Sequence, residues 1–144
     1  SLINKPNMRY KHLAALGAAL ALLASACKSS SPTAPPLPNT TGTWTGTVND
    51  AIMGPGTVRL TITQSGSSIA GTWATTYANV TNNNSGSLTG SVNNANVTAT
   101  LIPTIPTTCP FHATATLSGN AMSGTYTAFN CAVAVSGSIS VSKQ

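Results

Sequence analysis

The chain has 144 residues, of which 41% are hydrophobic and 5% charged, with a formal net charge of +5 from six Lys/Arg and one acid. That acid is Asp50, and no glutamate is present. A single carboxylate excludes paired-carboxylate catalysis and calcium or magnesium sites built from acidic side chains. The length suits one domain plus short extra segments.

In chain order, the first feature is basic. Lys5, Arg9 and Lys11 precede a continuous apolar run from Leu13 to Ala24. That run is too short for a spanning helix, which needs about 20 residues. Followed by Ala24-Ser25-Ala26, it reads as an export signal. Met8 opens a compact signal of this kind, so residues 1–7 are expected to lie outside the native protein.

The stretch Leu22-Leu23-Ala24-Ser25-Ala26-Cys27 resembles the lipobox of bacterial lipoproteins, with Ala24 where that family prefers Leu. The resemblance implies diacylglycerol on the Cys27 thiol, cleavage before it, and acylation (palmitate, for example) of the new amine. Several acyl chains hold a protein stably on a membrane, whereas one does so marginally. The alternative is ordinary secretory cleavage after Ala26, which would leave Cys27 as an unpaired thiol in an oxidising compartment. Lys28 follows the cysteine. An Asp there commonly retains Gram-negative lipoproteins at the inner membrane, so Lys28 implies the outer membrane or cell surface.

Residues 28–39 read KSSSPTAPPLPN, with four prolines. Such a segment forms neither helix nor paired strand. It is a tether inclined to polyproline II, reaching about 3.1 Å per residue. The expected organisation is therefore 1–26 as upstream residues and signal, 27–39 as lipidated cysteine and linker, and 40–144 as a folded domain. Beyond Cys27 the charged residues are Lys28, Asp50, Arg59 and Lys143. No basic patch remains for nucleic acid.

From Thr40 onward the hydrophobic period is two. The pattern predicts strands over 42–49, 56–65, 68–77, 85–92, 96–102, 111–118, 121–128 and 132–142. Their inward faces carry Trp44, Val48, Leu60, Ile62, Trp73, Leu88, Val92, Val97, Leu117, Met122, Tyr126, Val133, Val135, Ile139 and Val141. Thr and Ser line the other faces. Two-residue turns at Gly66-Ser67 and Gly119-Asn120 predict the pairs Leu60 with Trp73 and Ala113 with Tyr126. A turn over Asn93–Asn96 pairs Val92 with Val97 and Leu88 with Leu101. Residues 60–73 (LTITQSGSSIAGTW) also echo 113–126 (ATATLSGNAMSGTY). Glycines 46, 71, 90, 124 and 137 fall in the inward register, as a strongly coiled closed sheet requires. The expected fold is all-β, an eight-stranded antiparallel up-and-down small barrel, with a β-sandwich as the alternative.

Gly42-Thr43-Trp44, Gly71-Thr72-Trp73 and Leu88-Thr89-Gly90 resemble motifs of avidin-like and lipocalin-like barrels over residues 42–92. The resemblance implies a small barrel. Its biotin contacts do not transfer, because Gly46 stands for an Asn, Asp50 for a Ser and Trp73 for a Tyr.

Cys109 and Cys131 are the remaining cysteines, and an exported chain with two cysteines is expected to join them in a disulfide. Closing that loop stabilises by about 3 kcal/mol through chain entropy. His112 is the one histidine beyond the signal, and no second histidine or third free thiol completes a zinc site. No serine has a base and an orienting acid in a recognisable context. The sequence thus implies no metal, no cofactor and no enzyme. Trp44, Trp73, Phe111 and Tyr126 are inward aromatics that either fill the core or line a pocket for a small apolar ligand. The functional expectation is a non-catalytic envelope lipoprotein, anchored in the membrane through Cys27, with a binding or structural role. The alternatives are a carrier of a small hydrophobic ligand inside the barrel and a protease-inhibitor-like barrel contacting a protein partner through Asp50–Gly56 or Pro103–Pro110.

Overall fold

The computed structural model describes residues 33–144. The expected signal segment and Cys27, the expected lipidation site, lie outside the described residues. Within Pro35–Gln144 the period-two pattern resolves into β1 Gly42–Asp50, β2 Gly54–Ser65, β3 Ser68–Tyr77, β4 Asn84–Asn93, β5 Asn96–Pro103, β6 Phe111–Ser118, β7 Ala121–Ala128 and β8 Ser136–Lys143. A single 3-10 turn, Val80–Asn82, sits between β3 and β4. Each strand pairs antiparallel with the next, and β8 returns to β1, closing the barrel. The sandwich alternative is excluded by that closure.

Alternation dictates the packing. Trp44, Val48, Leu60, Ile62, Trp73, Leu88, Val92, Val97, Leu117, Met122 and Val141 point inward and are buried. Their neighbours in sequence, chiefly Thr and Ser, face solvent. The short turns fix the register. Leu60 pairs with Trp73, Leu88 with Leu101, and Ala113 with Tyr126, as the turn chemistry requires. Gly66 (φ 59°) and Gly119 (φ 58°) hold the first central position of their turns, the place where a type II′ turn demands positive φ.

Closing so few strands forces backbones together at the inward glycines. A Cβ on Gly71 would strike the Thr61 carbonyl oxygen, and one on Gly46 would strike that of Ser140.

The last strand differs from expectation. It begins at Ser136 rather than at residue 132, and Val133 is 59% exposed rather than inward. Upstream of Ser136 the pairing continues only as far as the Val135 carbonyl, which accepts from the Ala128 N–H at 2.7 Å. β1 pairs with β8 only as far as Asp50 opposite Gly137, after which the chain turns through 51–53. Asn130 takes a positive φ of 55° and diverts the chain into a loop before Cys131.

The two ends of the barrel are unlike. One carries the two-residue connections 66–67, 94–95 and 119–120, together with the start of β1 and the end of β8, and is called the turn end. The other carries the connections 51–53, 78–83, 104–110 and 129–135, and is called the loop end.

Gly71→Ala should cost roughly 3 kcal/mol, since backbone cannot relax as a side chain can. Gly54→Ala, where nothing lies within 4 Å despite a φ of +79°, should cost about 1 kcal/mol. Urea denaturation of the two variants against the parent measures the contrast.

Candidate functional site

At the turn end the barrel is plugged. The Thr40 backbone N–H and hydroxyl both donate to Gln64 Oε1 at 2.7 Å. The Trp44 indole donates to the Thr40 carbonyl at 2.9 Å. These bonds seat Trp44 at 0% exposure, with the Lys143 ammonium 5.8 Å from its ring centroid. The indole N–H satisfies a carbonyl that would otherwise be buried without a partner.

Above that plug lies an interior cavity of about 80 Å³. Its wall is almost wholly apolar and extends from Ile62, Ile69 and Met122 near the turn end to Met53 and Tyr77 at the loop end. Small side chains on β5 and β6 leave the space: Ala99, Ala113 and Ala115 all line it. Of the four aromatics singled out in the sequence, Trp73, Phe111 and Tyr126 stand in the cavity wall, and Trp44 belongs to the plug. Phe111 meets Trp73 edge-on at 6.2 Å and Tyr126 edge-on at 5.5 Å, the favoured geometry for aromatic pairs. The Trp73 indole donates to the Ser87 carbonyl at 3.1 Å, which fixes its ring.

Asp50 is the residue that sequence reasoning missed. It is 3% exposed and lines the cavity at the loop end. Oδ1 accepts from the N–H groups of Ile52 and Met53 at 2.8 and 3.0 Å, tying down the β1–β2 turn. Oδ2 accepts from the Tyr126 hydroxyl at 2.5 Å. A carboxylate buried in an apolar setting needs such donors. Burial, and then the bond to Asp50, push the Tyr126 phenol well above its ordinary value. Burial likewise raises Tyr77, opposed by the neighbouring Tyr126 hydroxyl. The segment Asp50–Gly56 is accordingly folded back into a tight turn and a strand.

The loop end is also stapled. Cys109 and Cys131 form a disulfide with Cα atoms 5.9 Å apart, joining loop 104–110 to loop 129–135. The Phe129 N–H donates to the Pro110 carbonyl at 3.0 Å and extends the β6–β7 pairing to the bridge. His112 faces outward, stacked on the Phe129 ring at 4.0 Å.

No protein-family model matches the chain, and no curated protein matches it.

The Tyr126 proton is held more tightly in the folded state than in the unfolded state. Its contribution to stability is therefore complete below pH 10, the ordinary tyrosine value, and is lost as pH rises above it. The urea midpoint should fall between pH 9 and pH 11. Tyr126→Phe should lose about 1–2 kcal/mol at neutral pH, through the missing donor to Asp50, and should show a smaller alkaline fall.

Proposed function

We propose that the chain is a non-catalytic lipoprotein of the cell envelope, whose barrel carries a small apolar ligand. The observation that supports a carrier is the cavity, apolar along its length and reaching the loop end. About 80 Å³ is room for roughly five to eight waters at ~10–15 Å³ each, and at about 30 Å³ of liquid volume per water that is space for a ligand of roughly ten non-hydrogen atoms. Dispersion and the release of water from apolar wall atoms supply the affinity. The Asp50–Tyr126 pair closes on itself and so makes little polar demand on the ligand. The lipobox-like stretch ending at Cys27, followed by the proline-rich tether, supports the anchored location.

Naphthalene and toluene, titrated while Trp fluorescence is followed, should show saturable 1:1 binding. Ala99→Leu, which fills the cavity from β5, should weaken that binding at least about 10-fold, on the scale of one lost apolar side-chain contact. Linear, unsaturable uptake would refute the carrier reading.

Intact mass spectrometry of the chain made in a Gram-negative host addresses the anchor separately. An N-terminal Cys27 carrying diacylglycerol is the expected species, and an unmodified N-terminus at Cys27 or upstream refutes it.

A further inference from the structure

The four loops at the loop end share a property that the turn end lacks. Each presents one large aliphatic side chain to solvent: Ile52 in 51–53, Val80 in 78–83, Ile105 in 104–110 and Val133 in 129–135. Each of these is more than half exposed. Ile102, on the outer face of β5 beside the same end, is nearly half exposed. Single exposed aliphatics are ordinary on a protein surface. Here, however, the large exposed aliphatics of the barrel strands and loops gather at one end, the remaining one among the described residues being Leu37 in the segment before β1. The turn-end connections hold Gly66-Ser67, Asn94-Ala95 and Gly119-Asn120, with nothing larger than Asn.

Charge has the same distribution. None of the four loops contains Asp, Glu, Lys or Arg, and the nearest acid, Asp50, is buried. Lys143 stands at the opposite end. What surrounds the aliphatic tips is Thr, Asn, Ala and Pro. We propose that this ring of loops is a docking surface for an uncharged lipid interface, into which Ile52, Val80, Ile105 and Val133 insert together. Exposed apolar surface gathered in one place marks a protein or membrane contact, and separate aliphatic tips with no charge between them suit the uncharged plane of a lipid interface. The disulfide holds two of the four loops in register with each other, so less ordering entropy is lost on docking. The cavity wall reaches the same end at Met53 and Tyr77, which places the apolar interior next to the proposed lipid contact.

Tether length fits the same surface, and this one argument rests on the lipoprotein reading. From Cys27 to Thr40 the chain spans roughly 40 Å as polyproline II. A barrel of tilted strands this long stands about 25–30 Å tall. The tether joins at the turn end and is long enough for the loop end to reach the membrane that holds the anchor.

The test uses residues 33–144, which contain every strand pairing and the whole core and carry no anchor. Co-sedimentation with phosphatidylcholine vesicles should show partition that persists in about 0.5 M NaCl, where electrostatic binding is screened. Ile52→Asp, Val80→Asp, Ile105→Asp and Val133→Asp should each weaken it on the order of 10-fold, and the fourfold variant should abolish it. Asn94→Asp at the turn end should change nothing. Absence of partition by the parent, or equal partition by the fourfold variant, would overturn the proposal. So would a parent dimer on gel filtration that the fourfold variant dissolves, for then the ring binds a second copy. Because the anchor is absent throughout, a negative result here leaves the mass of Cys27 and the naphthalene titration as independent readings of the lipoprotein and carrier roles.

Discussion

The barrel depends on backbones approaching more closely than any side chain allows. At Gly71 the carbonyl of Thr61 occupies the place of a Cβ, and at Gly46 the carbonyl of Ser140 does the same. Gly90 and Gly124 meet Thr98 and Thr114 in equivalent fashion on β4 and β7. These contacts permit the coiling that brings β8 back to β1. Closure in turn removes the free strand edges and sets an interior too wide for alanines to fill. The cavity along Ala99, Ala113 and Ala115 is thus a consequence of the same curvature that the glycines allow.

Much of this was legible in the sequence because short turns leave little choice. A two-residue connection at Gly66-Ser67 fixes every pair of β2 and β3 once one face must be apolar. Other features resisted for physical reasons. Trp44 and Trp73 share the motif Gly-Thr-Trp and both face inward, yet one plugs an end and the other lines the cavity. What separates them is Thr40 with Gln64, 24 residues away in sequence, a contact that no local pattern encodes. Val133 keeps the alternation of a strand, but the pairing with β7 stops at Val135, and a strand exists only where a partner does. Asp50 falls just beyond the predicted strand 42–49 and within the segment Asp50–Gly56 expected to contact a partner. Its parity, shared with Trp44 and Val48, was the available signal that it faces inward, and its partner Tyr126 lies 76 residues on.

The echo between residues 60–73 and 113–126 acquires meaning in three dimensions. The two segments form the β2–β3 and β6–β7 hairpins, four strands apart around the barrel. Trp73 and Tyr126 occupy matching positions in them, opposite Leu60 and Ala113. Phe111 bridges the two rings edge-on. One hairpin design used twice therefore supplies facing aromatic walls, and the substitution of Ala113 for the bulkier Leu60 leaves one side of the interior open.

The pairing of β1 with β8 has a further consequence for how the chain reaches this state. Seven of the eight pairings join neighbours along the chain and can form as hairpins. The eighth joins the beginning of the domain to its end and bears the loop-closure entropy of nearly all of it. It is also the last to become available as the chain emerges during synthesis. Until then β1 and the growing sheet present open edges, the state in which β proteins pair with one another. The Cys109–Cys131 bridge spans only the β6–β7 hairpin, so oxidation secures that hairpin without drawing the two ends together. The final strand, with fewer large apolar residues than β2, is left to complete the cylinder, and aggregation competes with folding for as long as that seam stays open.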